Sequence, residues 1–298
     1  MANSPVLTKE ILKKMKKEQP DVYAQALKNK KYWHKRIDKE MQSIYDNAMT
    51  ENIRLKKIYQ RAYENMNREM AAFIQKYGEE GVLSRSEYYA FNRNFQIIDN
   101  MKRELEKVGV AENKFINRSL VKRYKQAYNA MGKDLGLILR SNIKVSGAPL
   151  EAAKRVVNLN LQGKNFSTRI WDNKKKALDR IQETLEDAVA KNLSYDKASK
   201  LLAERMSVSY NDADRLIATE MNHVITEAQA DSMRAYGIQR YEIIAVMDNR
   251  TTEICQTMDG KVFNLSEKEP GLNAPPFHVR CRTTIAPAVY WEELIPQE

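Results

Sequence analysis

At 298 residues the chain has room for two domains and a sizeable core, and its 43% hydrophobic and 30% charged residues favour long, solvated helices. No apolar run approaches the ~20 residues that span a bilayer, and two cysteines exclude a scaffold built on disulfides. The net charge of +11 is uneven: residues 1–150 carry 30 Lys and Arg against 17 Asp and Glu, and residues 151–298 carry 20 against 22. The positive excess therefore lies wholly in the first half, where it suits either a polyanion such as DNA or a merely solvated helical face. The opening residues lack the apolar core of a signal peptide, so synthesis in a cytoplasm is expected.

Residues 8–76 read as helix with few breaks, Thr8 capping the first segment and Pro20 marking a restart. Apolar residues recur there at helical spacing, from Ile37, Met41 and Tyr45 to Met66, Met70 and Ile74, and Gly78 and Gly81 end the run. Ser84 with Glu87 forms a capping box for a second helix to about residue 108, and a third helix is predicted over residues 111–132. Residues 141–149 form the best loop or boundary. Beyond it lie a helix over 150–158, a turn at Gly163 and a helix capped by Ser167. One more opens at Ser194 and runs to Met206, and the last long helix covers 212–236, closed by Gly237. The pattern then changes. Residues 241–247 form an apolar, β-rich strand, Asp259-Gly260 a turn, residues 261–263 the returning strand of a hairpin, and residues 283–285 a third short strand.

The expected fold class is mainly α with a small C-terminal α+β module. Three divisions are expected: a basic helical arm over 1–145, a helical segment over 146–238, and a small α+β module over 239–298 that carries the Cys/His cluster and an acidic tail from Tyr290.

Chemistry concentrates in the last fifty residues, which hold both cysteines and one of the three histidines. His278-x-x-Cys281 brings an imidazole and a thiolate within reach of one ion, Cys255 offers a third ligand across the predicted hairpin, and Asp248 or Asp259 a fourth. That donor set suits zinc. Three readings stand: free buried thiols, a single bridge (which a reducing cytoplasm disfavours), or one zinc ion. Nothing around Cys255 resembles a nucleophile elbow or a cysteine-protease signature, and there is no Walker or dinucleotide motif. Asp212, Asp214, Glu220, Glu227 and Asp231 are spaced round the last long helix, as on a solvated face rather than in a metal nuclease; His223 and His34 read as structural. For nucleic acid, the clusters Lys13, Lys14, Lys16 and Lys17, then Lys30 and Lys31, then Lys122, Arg123 and Lys125 suit non-specific, salt-sensitive phosphate contacts with double-stranded DNA.

The second half resembles the Mu F-like minor head proteins of tailed phages, also called phage head morphogenesis proteins. Arg215-x-x-x-Thr219-Glu220 is similar to that family's helical signature, followed by the Asn222/Ala228 helix and Gly237. Asp248-x-Arg250-Thr251 with Cys255, then Asp259-Gly260, then Pro275-Pro276-x-His278-x-x-Cys281-Arg282 continue its motifs in order, over about residues 150–290 in all. Gly163 to Ile170 is similar to a stretch often found upstream. Many members carry a further cysteine after the closing arginine, where Thr283 stands here, which weakens a four-ligand metal site. The resemblance implies a structural protein rather than an enzyme. It would be present in few copies inside the head near the portal, with the portal protein and the major capsid or scaffolding protein as partners. The alternatives are a non-specific DNA-binding protein and a nuclease or toxin-like effector, since such modules can be fused to toxin domains.

Overall fold

The computed structural model describes Lys17 and residues 20–138 and 147–288. Lys13, Lys14, Lys16, the Thr8 cap and the acidic tail from Tyr290 lie outside them. The architecture is mainly α, with a small C-terminal antiparallel sheet. No helix among the described residues is long and apolar enough to cross a membrane.

Helix α1 (Pro20–Glu51) buries Ile37, Met41, Tyr45 and Ala48, and α2 (Ile53–Tyr77) buries Leu55, Tyr59, Ala62, Met66, Met70 and Ile74. Steps of three and four residues put each set on one helix face, and burying each large side chain contributes about 1.5–3 kcal/mol. Gly78 ends α2 for a steric reason: a Cβ there would lie 2.7 Å from the carbonyl oxygens of both Ile74 and Val82. Ser84 accepts from the Glu87 N–H as its spacing predicts, but it caps only the short α3 (Arg85–Tyr89). Phe91 (φ 48°) and Asn92 (φ 57°) then take left-handed backbone, which a right-handed helix cannot continue.

The next helix, α4 (Arg93–Ile138), runs through the break expected near residue 110. Gly109 belongs to its interior: a Cβ would come 2.7 Å from Cζ3 of Trp171, on α6 (Phe166–Ala190), so glycine serves close packing there and ends nothing. Between them lies α5 (Leu150–Val157). Helix α6 is capped by Asn165, whose side chain accepts from the Thr168 N–H, and Ser167 already lies inside it. The two helices expected over 194–206 and 212–236 are one, α7 (Tyr195–Ala235). Its apolar positions continue in phase through Asn211 and Asp212, so no interruption is required.

Packing divides the chain into two compact units: Met1–Met49 with Leu120–Gln162 and Ala218–Glu298, and Thr50–Ser119 with Gly163–Ile217. In the second unit Lys174 and Glu112 form a buried ion pair at 2.6 Å, and both side chains also bond the Tyr59 hydroxyl. The first unit holds the sheet. Its central strand β1 (Arg240–Ile244) pairs antiparallel with β2 (Val262–Asn264), Tyr241 opposite Phe263, and with β3 (Thr284–Pro287), Ile243 opposite Ile285. The two predicted hairpin strands do pair, but α8 (Glu253–Met258) lies between them, so their connection is not a tight hairpin. Gly260 (φ 72°) supplies the left-handed residue that the Asp-Gly turn requires.

Two amides of α7 bind the β3 side of the sheet: Asn222 Nδ2 donates to the Thr283 carbonyl and Gln229 Nε2 to that of Ile285, each at 2.8 Å. They satisfy backbone acceptors that an edge strand otherwise leaves open. Helix α1, at the start of the basic region, also joins this unit. Lys30 Nζ lies 2.7 Å from Glu242 of β1, Arg36 pairs with buried Asp134, and Gln42 Nε2 donates to the Arg282 carbonyl at 2.7 Å.

Candidate functional site

The site is assembled by two loops of the C-terminal module. After β1, the Ala245 N–H donates to Asp259 Oδ1 at 2.8 Å, which ties the start of the first loop to the Asp-Gly turn at its end. Within that loop the Arg250 N–H donates to Asp248 Oδ1, the Asp248 N–H to Thr251 Oγ1, and the Thr251 hydroxyl to the Val246 carbonyl. This local network sets the start of α8, whose first turn presents Cys255. The second loop contains a cis Pro275–Pro276 bond and a turn closed by the Cys281 N–H on the His278 carbonyl. Arg280 sits in that turn at φ 57°, and its N–H donates to Thr219 Oγ1 on α7. Thr219 and the Pro-Pro-x-His-x-x-Cys segment, distant in sequence, thus hold one turn together.

Cys255, His278 and Cys281 converge, their ligand atoms all within 4.8 Å of one another. Cys255 Sγ lies 3.1 Å from His278 Nε2 and 3.8 Å from Cys281 Sγ, and both thiols are free and buried. His278 Nδ1 is 2.8 Å from the Val279 carbonyl, which can only accept. Nδ1 therefore carries a proton, and Nε2 faces the sulfur. Cys255 is held well below the ordinary thiol range, chiefly because Cys281 donates to its sulfur, with help from Thr252, Thr283 and His278. Cys281, the donor of that pair, is pushed up by the same bond and by burial.

The structure brings three of the four predicted ligands together and keeps the fourth apart. Asp248 is not in the cluster, because its carboxylate takes the Arg282 guanidinium in a two-bond fork, at 2.8 and 2.6 Å. That fork and the Arg250 N–H hold the Asp248 carboxyl well below the usual range, and Asp248 in turn raises Arg282. Asp259 is occupied by the Ala245 N–H. Beside the cluster a small, open depression is lined by Cys255, His278, Arg250, Arg280, Arg282 and three threonines. Sequence reasoning passed over Arg280. A cation between two presumed ligands was the available signal.

The remaining predicted residues are dispersed. Glu220 is buried in α7, while Arg215 is exposed and pairs with Asp212. Asp212 also binds Arg180, Asp214 binds Asn52, Glu227 binds Lys268, and Asp231 binds Tyr124 and Arg234. These carboxylates each have a partner of their own, and among the described residues only Cys255, His278 and Cys281 gather with metal-ligand spacing. Of the lysine clusters, Lys17, Lys31 and Lys122 are exposed and Lys125 is half-buried. Lys30 is engaged by Glu242, and Arg123 is 3% exposed and bonds Gln126, so neither faces a phosphate.

Fold and site together describe a mainly helical protein ending in a small α+β module, pinned by a thiol–imidazole cluster and an Arg–Asp fork. Residues 179–286 match the family described as Phage Mu protein F like protein. The C-terminal part of the chain therefore carries a Mu F-like domain, in agreement with the order of its motifs. The Gly163 to Ile170 stretch falls outside the match. No curated protein and no solved structure matches the chain.

Proposed function

We propose that this protein is a structural minor head protein of a tailed bacteriophage, acting in head morphogenesis near the portal and touching packaged DNA without reading its sequence. The observation that carries the reading is the use to which the matched segment puts its motif residues. Asp248 and Arg282 clamp two loops, Asp259 and Gly260 form a turn, and Thr219 anchors the Arg280 backbone. Groups engaged in this way build a rigid docking module. The exposed Lys17, Lys31 and Lys122 supply the positive charge for phosphate contact.

The test is co-expression of the full chain with the portal and capsid proteins of the same genome. Co-elution with the portal protein, lost on disrupting the Asp248–Arg282 fork, supports the reading. A chain that elutes alone in the presence of all head proteins overturns it.

A further inference from the structure

The Cys255–His278–Cys281 cluster presents a physical problem that one cation resolves. His278 Nε2 and the Cys255 sulfur, two atoms that can each ligate a metal, face each other at 3.1 Å. A proton satisfies that contact in one form of the protein; a metal ion satisfies it together with the second sulfur. The spacing suits the metal. With Zn–S bonds of about 2.3 Å and tetrahedral angles, two thiolates stand about 3.8 Å apart, and a thiolate and an imidazole nitrogen about 3.5 Å. The observed sulfur–sulfur distance is 3.8 Å, and the sulfur–nitrogen distance, 3.1 Å, needs to widen by only a few tenths of an ångström. One nitrogen and two sulfurs select a soft divalent ion over magnesium or calcium. The Nδ1–H bond to the Val279 carbonyl is the outer contact that fixes a ligating imidazole.

The fourth position follows from what surrounds the three. Asp248 is committed to Arg282 and Asp259 to the Ala245 amide, and Thr283 offers only a hydroxyl beside Cys281. Cys281 is fully buried, whereas Cys255 and His278 border the depression, so the open side of the cluster faces that space. Arg250, Arg280 and Arg282 line the same space. The Arg250 side chain is 72% exposed and lies 3.6 Å from the Asp248 carboxylate, a loose contact. We infer that Cys255, His278 and Cys281 hold one zinc-type ion, and that its fourth position opens into the arginine-lined depression, where it takes an oxygen from water or from an oxyanion. The site joins loops on either side of β2, so metal binding and the folding of the module are linked. The inference is independent of the proposed role in the head.

The experiment uses the full chain purified under reducing conditions. Metal content is measured directly, and the site is then loaded with Co²⁺, whose visible bands report tetrahedral geometry and whose thiolate charge-transfer bands report bound sulfur. One metal per chain, a tetrahedral spectrum with two thiolates, and a shift of the visible bands on adding inorganic phosphate are expected. Cys255→Ser and His278→Gln should each lose stoichiometric metal. Arg250→Ala, at an exposed position, should keep the metal and need several-fold more phosphate for the same shift. Absence of stoichiometric metal, or an unchanged metal content in both ligand variants, overturns the site. Full loading with bands insensitive to phosphate, or a phosphate response unchanged in Arg250→Ala, overturns the arginine-flanked open position.

Discussion

Arg282 grips Asp248 through both guanidinium nitrogens, at 2.8 and 2.6 Å, across 34 residues of sequence. The pair closes the loop that leads into Cys255 onto the loop that carries Cys281, so it positions the cluster without belonging to it. Planarity is what the fork requires, and lysine cannot reproduce it. Arg282→Lys should therefore lower the thermal midpoint and speed proteolysis after Arg250 nearly as much as Arg282→Ala does. Limited proteolysis with mass spectrometry checks this; full rescue by lysine would reduce the pair to simple charge attraction.

The buried Lys174–Glu112 pair in the second unit makes a prediction of opposite character. The two side chains are 5% and 0% exposed, and Tyr59 bonds to both. Lys174→Met strands a buried carboxylate and should cost about 3–5 kcal/mol of stability. Adding Glu112→Leu should recover much of that loss, because two apolar side chains need no partner. Urea unfolding of the two single variants and the double variant forms the required cycle.

Stability should also depend on pH through His34. Burial, reinforced by neighbouring Lys30, pushes its pKa down to about 3 from 6.5. The unfolded chain thus binds a proton that the folded chain refuses. The stabilisation is complete above the unfolded value of 6.5 and is lost as pH falls toward about 3. Between pH 6.5 and 5 the loss is at most about 2 kcal/mol. Glu242, raised chiefly by burial with Lys30 working against it, has the reverse sign: its contribution is present below its ordinary range and is lost as pH rises above it, so it offsets part of the slope. Thermal unfolding of wild type and His34→Gln over that interval should show a shallower pH dependence in the variant.

DNA affinity, if it resides in the exposed lysines, should fall along a straight line in logarithmic salt. Each phosphate contact removed lowers the slope by about 0.9. Replacing Lys17, Lys31 and Lys122 with alanine should flatten the line. Replacing Arg123 should leave the slope alone, since that side chain is buried against Gln126. Fluorescence anisotropy across a salt series measures both.

Much of this was legible because period and turn chemistry are local. The 3.6-residue stripe of α1 and α2, the Ser84 cap and the Asp259-Gly260 turn follow from neighbouring residues alone, as does the convergence of His278 with Cys281. What failed was set by distant partners. The helix break expected near residue 110 is absent, and Gly109 there packs against the Trp171 ring, sixty-two residues away. Asp248 resembled a metal ligand because its real partner, Arg282, is 34 residues on. Lys30 and Arg123 resembled phosphate contacts, yet one answers Glu242 and the other is enclosed. Charge counts do not register burial.

The central claim, a structural part in the phage head, is tested most directly by quantitative mass spectrometry of purified, nuclease-treated heads. The account predicts this chain in a fixed, low ratio to the portal protein, retained through density-gradient purification. It also predicts that heads assembled with Arg282→Ala carry less of it. A chain absent from the heads, or present in amounts that vary with each wash, would contradict the account.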